Sequence, residues 1–177
     1  MKHPPEINIG PVSEWLIQAV QDVSETMFGL GVYPAEQDGG TNAAEEAVVA
    51  CIGIRGECRL EVALHFPESL ASHLASISLE MPAAELDEKM VDDVAGEFSN
   101  MVVGAVKSRI SDLDVPCSMT VPRVVRKGAN AGNAAQKVEA ALAIIRGSAG
   151  PRDKASSAHS CLLFHAGASL LQADLFL

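Results

Sequence analysis

Glu97 and Asn100, three residues apart in the run DVAGEFSN (93–100), are the side chains whose types and spacing fit chemistry best. At i and i+3 on a helix they project from adjacent turns toward the same side. A carboxylate pairs with a cation. An amide both donates and accepts hydrogen bonds, so it can hold a water in place without titrating. Asp93, Gly104 and Lys107 extend the stripe at spacings of three or four, with Gly96 and Val103 beside it. Each glycine destabilises a helix by roughly 1 kcal/mol relative to alanine. Two of them flanking a carboxylate and an amide favour a face that another surface approaches closely. A solvated helix face is the simpler reading of Glu97 and Asn100 taken alone.

The element that must position these residues is the helix predicted over 88–110 (EKMVDDVAGEFSNMVVGAVKSRI). At 100° per residue, Met90, Val91, Val94, Ala95, Phe98, Met101, Val102, Ala105 and Val106 fall in one apolar arc of about 160°. An earlier helix is predicted over 13–30, with Ser13 as N-cap and Gly29 and Gly31 as stop signals. Residues 33–44 read as a loop. Two β-rich runs, 47–54 and 60–66, form a hairpin candidate, and the first is apolar enough to be a central strand covered on both faces. A short helix over 68–79 follows, then the long helix, then an extended stretch over 115–127 broken by Pro116 and Pro122. Residues 133–146 have helical composition, and 159–166 with 169–177 read as a closing hairpin. The pattern is an α+β two-layer domain.

The length of 177 residues suits one domain, and the net charge of −10 argues against nucleic acid or an anionic membrane as partner. No apolar run approaches the roughly 20 residues of a membrane span. The segment MKHPPEINIG lacks the apolar core of a signal peptide, so a cytoplasmic location is expected. Cys51, Cys58, Cys117 and Cys161 show no CxxC pairing and are expected as free thiols.

With these elements in place, DVAGEFSNMVVG (93–104) resembles the D/S-x-x-x-E-x-x-N helix of the CheC/CheX/FliY chemotaxis phosphatases. VPCSMTVPRVVRKG (115–128) resembles the extended stretch that follows that helix, and residues 52–79 resemble the family's hairpin and short helix. SEWLIQAVQDVSETMFGL (13–30) resembles its first helix, with a Met-x-Gly ending at Met27 and Gly29. Overlaying Met27 on Met101 places Val23 over Glu97 and Thr26 over Asn100, so the ExxN pattern occurs once, as in CheX-like members. The resemblance implies a single CheX-like domain over 1–177: a twisted, mainly antiparallel sheet with two long helices packed on one face. Residues 128–157 are a candidate insertion. The implied partner is a phosphorylated CheY-type receiver domain, and a homodimer is implied as well. Asn100 would orient the attacking water and Glu97 would pair with the receiver's active-site lysine, with Asp93, Gly96, Gly104 and Lys107 at the contact. This chain would bind no cofactor, the Mg²⁺ belonging to the receiver. Domains of this kind also serve as non-catalytic binding or scaffold parts of two-component and flagellar switch systems.

A metal site is the alternative from a different class. His159, Cys161 and His165 share one face of a strand by period two, and imidazole with thiolate suits zinc. Leu163 interrupts that ladder and no fourth ligand is evident. The Gly-rich run GANAGN (128–133) lacks the Lys-Ser/Thr ending of a phosphate-binding loop and reads as a plain loop.

Overall fold

The computed structural model describes residues 7–36, 46–128, 134–147 and 158–177. Its elements run α1 (Ile9–Phe28), β1 (Val32–Ala35), β2 (Ala47–Gly56), β3 (Leu60–Pro67), α2 (Glu68–Leu79), a 3₁₀ turn (Ala83–Glu85), α3 (Glu88–Ser111), β4 (Cys117–Met119), β5 (Arg123–Lys127), α4 (Ala134–Arg146), β6 (His159–Ala166) and β7 (Ser169–Phe176). Every strand pairing is antiparallel. The sheet order is β1-β6-β7-β3-β2-β4, with β5 beside β4 along the same side of β2.

The side-chain period of two explains how one sheet carries two cores. Val48, Ala50, Ile52 and Ile54 of β2 face α1, α2 and α3 in the main core, while Val49 and Cys51 face the other way. Both α1 and α3 pack on the first face, as expected, with α2 beside them. On the far face, Ala141, Leu142 and Ile145 of α4 cover Val49, Cys51 and Ala63. Gly53 lies directly beneath this helix, since a methyl there would clash with Ile145 Cγ2. Arg146 anchors the end of α4 through Glu61 (2.7 Å) and Glu139 (2.9 Å). The described part of segment 128–157 therefore sits across the sheet from α3. Residues 129–133 and 148–157, including most of GANAGN, lie outside the described residues.

Two element boundaries differ from expectation. Helix α1 begins at Ile9 with Asn8 as N-cap, because Pro11 sits in the first turn, where no backbone donor is needed. The segment expected as a loop from residue 33 opens with β1, whose Val32–Ala35 pair with Leu163–Ala166 of β6. The C-cap of α1 is as expected: Gly29 adopts the left-handed conformation (φ 60°) and its N–H donates to the Glu25 carbonyl.

Asp174 organises the far face of β3, β7 and β6. Its carboxylate lies 2.9 Å from His65 Nε2 and 3.1 Å from His159 Nε2, and it accepts from Gln172 at 2.8 Å. Burial alone would raise its pKa, but the His65, His159 and Gln172 contacts outweigh that and lower it to about 2. A depressed carboxylate stabilises the fold above its unfolded pKa near 4 and loses that contribution as pH falls through about 2. The contribution is roughly 2 kcal/mol near pH 5. Asp174→Asn is expected to lower stability at pH 5 and flatten its decline between pH 4 and 2, read from urea unfolding at a series of pH values. An unchanged acid limb would show that Asp174 does not carry it. Among the described residues no helix is long and apolar enough to cross a membrane.

Candidate functional site

Helix α3 is started by Asp87, whose carboxylate accepts from the Met90 N–H at 2.8 Å. Its inner face buries Val91, Val94, Ala95, Phe98, Val102, Val106 and Ile110. The Phe98 ring meets Phe28 of α1 at 5.5 Å and Phe66 of β3 at 5.4 Å, edge-on to the latter. Phe98 fixes the rotation of the helix, and that rotation decides where its neighbours Glu97 and Asn100 point.

Glu97 is exposed and Asn100 half-exposed, one turn apart on the side away from the sheet. Among the described residues, neither side chain makes a hydrogen bond or ion pair within the chain. Asp93 is exposed and paired with Lys89 one turn earlier, while Gly104 and Lys107 are half-buried farther along.

Gly96 requires a correction. It is buried, because the β4–β5 stretch folds along that flank of α3: a methyl on Gly96 would meet Val124 Cγ2 at 3.4 Å and Pro122 Cβ at 3.8 Å. Those are ordinary contact distances, so Gly96 departs from expectation in being covered by its own chain, while packing does not demand a glycine there. The same flank buries Ser99 and Val103, whereas Ala105, expected in the apolar arc, is exposed. Gly104 differs in being only half-buried. A methyl there would make only ordinary contact with Met119 Sδ at 3.8 Å, so packing does not demand the glycine.

Arg126, which sequence reasoning missed, ties this flank together. Its guanidinium donates to both Glu68 carboxylate oxygens (3.0 and 3.1 Å) and to the Glu88 carbonyl (3.0 Å), and it lies 2.8 Å from Asp92. The first turns of α2 and α3 are thereby pinned to β5. Its only sequence signal is that it is one of three basic residues, with Arg123 and Lys127, in a stretch read as extended.

The His159, Cys161 and His165 ladder does not converge. His159 contacts Asp174 and stacks on Phe176 at 4.5 Å, while His165 is exposed near the edge pairing with Tyr33. Among the described residues no group of three or more His, Cys, Asp or Glu side chains is placed to hold a metal ion. None of the four cysteines is in a disulfide. Burial, with the nearby Glu61 and Glu139 charges, pushes Cys51 up to about 12, which leaves it unreactive at neutral pH.

The family model described as Chemotaxis phosphatase CheX matches residues 48–145, which span β2 through α4 and include the whole of α3. The chain belongs to the CheX family. No curated protein matches it. Among solved structures, this CheX-family chain is similar to the chemotaxis protein CheX of Vibrio vulnificus, with 20% identity, TM-score 0.70, and 97% of this chain and 100% of that chain covered. A CheC-like superfamily protein of Shewanella sp. PV-4 has 21% identity and TM-score 0.70, covering 96% and 98%. The CheX–CheY–BeF3–Mg²⁺ complex of Borrelia burgdorferi has a chain with 12% identity and TM-score 0.63, covering 93% and 96%. At these identities the likeness is one of fold.

Proposed function

We propose that this CheX-family chain removes phosphate from the aspartyl phosphate of a CheY-type receiver domain, with the exposed flank of α3 as the contacting surface. The observation that carries the reading is that Glu97 and Asn100 face outward from a helix of this family's fold with no partner in their own chain. The placement of α4 on the opposite face of the sheet supports it. So does the existence of a CheX–CheY complex for the Borrelia burgdorferi protein.

An aspartyl phosphate is an acyl phosphate, already reactive, and its hydrolysis needs positioning more than a strong base. In this reading the Asn100 amide holds a water in line with the phosphorus. The water oxygen forms a bond to phosphorus as the bond to the aspartyl oxygen breaks. The carboxylate leaves, and the water's proton departs with inorganic phosphate. Glu97 pairs with the receiver's active-site lysine and fixes the register, and Asp93 and Lys107 sit at the margins of the contact. The divalent cation belongs to the receiver, and this chain contributes side chains only.

The test is the phosphate lifetime on CheY-type receivers of the source genome, loaded with acetyl phosphate, with and without the chain. Shortening of at least one lifetime is expected. Binding with every lifetime unchanged would replace this reading with a non-catalytic scaffold. Gly104→Ala adds a separate check. It is expected to stabilise the isolated chain by up to about 1 kcal/mol, because the space exists, yet to weaken receiver binding if α3 is approached closely there. Equal affinity would remove Gly104 from the contact. A homodimer is part of the same proposal, and a monomer mass in sedimentation at all concentrations would rule it out.

A further inference from the structure

Beside Glu97 lies a cavity of about 330 Å³ where the ends of α1 and α2 meet the flank of α3. Met27, Leu79, Met90 and Met101 supply apolar lining, and Asp93 and Glu97 supply its acidic margin. This is the low end of the volumes that hold small ligands, which suits one or two side chains. Met27 is 57% exposed and Leu79 39% exposed. An isolated exposed hydrophobe is ordinary, but these two border the same opening. Three of the lining residues are methionines, whose unbranched thioethers reshape around an incoming group.

Two features select the occupant. The rim carries Glu97, which has no partner among the described residues, and Asp93, which is paired with Lys89, in a chain of net charge −10, so a cationic group is favoured beside the apolar anchor. Glu97 belongs both to the cavity margin and to the ExxN pair. Whatever fills the cavity is therefore carried by the same molecule that meets Glu97. Building on the proposed function, we infer that this cavity is the specificity anchor for the receiver: it takes an apolar side chain that neighbours a basic residue on the receiver surface. The ExxN pair then acts on the phosphoryl group, while the cavity selects which receiver presents it.

Met27→Lys and Leu79→Lys test this. Both positions are exposed in the last turn of a helix, where a cation suits the helix dipole, so folding is retained and is checked by thermal melting. Each substitution places a cation in the apolar lining, where it displaces the apolar anchor and repels the basic residue drawn to the Glu97 margin. The expected result is a rise in Kd for a beryllofluoride-activated CheY-type receiver of about tenfold or more, with a matching rise in KM. The control Val121→Lys, at a position 82% exposed on the connection between β4 and β5, is expected to leave Kd within about twofold. Unchanged Kd in both folded cavity variants overturns the anchor. So does a change confined to the chain's own sedimentation mass, which would make a second copy the occupant. Binding that depends on the cavity without hydrolysis would overturn the phosphatase reading alone, and absence of binding by every receiver would overturn both.

Discussion

Asn100→Ala is expected to lower the rate of receiver dephosphorylation by about a hundredfold or more while leaving the melting temperature essentially unchanged. The half-exposed amide makes no hydrogen bond among the described residues, so its removal forfeits no interaction of the fold. Alanine is also the stronger helix former. In the proposed reaction the amide is the only group of this chain that holds the water, and losing one preorganised donor or acceptor at a reacting centre typically costs 10²–10³ in rate, about 3 kcal/mol. The loss falls in kcat, because docking is assigned to Glu97 and the residues around it. A variant as active as the parent would show that the water is held by something else. A variant that is inactive and also melts early would show a structural part for Asn100 that its exposure does not suggest.

Phe98→Ala has the opposite signature. Its ring is almost fully buried against Phe28 and Phe66, joining α1, α3 and β3 at one point. Replacing it with alanine should cost about 3–5 kcal/mol in lost burial and residual cavity. For a domain of this size that lowers the melting temperature by about 10 °C. Because Phe98 fixes the rotation of α3, activity should fall as well, and a second stabilising change elsewhere should not restore it fully. A loss below about 1 kcal/mol would mean that the three elements are held together by other contacts. The two variants thus separate the two surfaces of α3: one carries chemistry without stability, the other stability that chemistry depends on.

Much of this arrangement was legible in the sequence because it follows from short-range period. The long helix, the 47–54 and 60–66 hairpin, the short helix over 68–79 and the closing hairpin all read correctly from apolar spacing and turn residues. β1 did not, since four residues containing Pro34 carry no strand signal and are held by β6, far along the chain. The rotation of α3 was half legible. Met90 to Val106 marked the face toward the sheet, but Gly96, Ser99 and Val103 form a second stripe at helical spacing, two of its three residues small. That stripe announces a close neighbour without saying whether it is the chain's own β4–β5 stretch or another protein. The position of α4 had a signal that was read but not used: a strand apolar on both faces needs cover on both, and Gly53 lies directly beneath the covering helix. Asp174 with its two histidines depends on cross-strand register, and Arg126 with its three acids depends on how α2 and α3 pack beside β5, neither of which a local pattern reports.

The central claim is that the outward face of α3 meets the phosphoryl site of a receiver. The fluorine NMR spectrum of a beryllofluoride-activated receiver reads that site directly, because the fluorines occupy the positions of the phosphoryl oxygens. Saturation with the chain should shift the fluorine resonances, and saturation with Asn100→Ala should give a different shift at equal occupancy. Fluorine lines unchanged in a receiver saturated with the chain would place α3 away from the phosphoryl group and contradict the account.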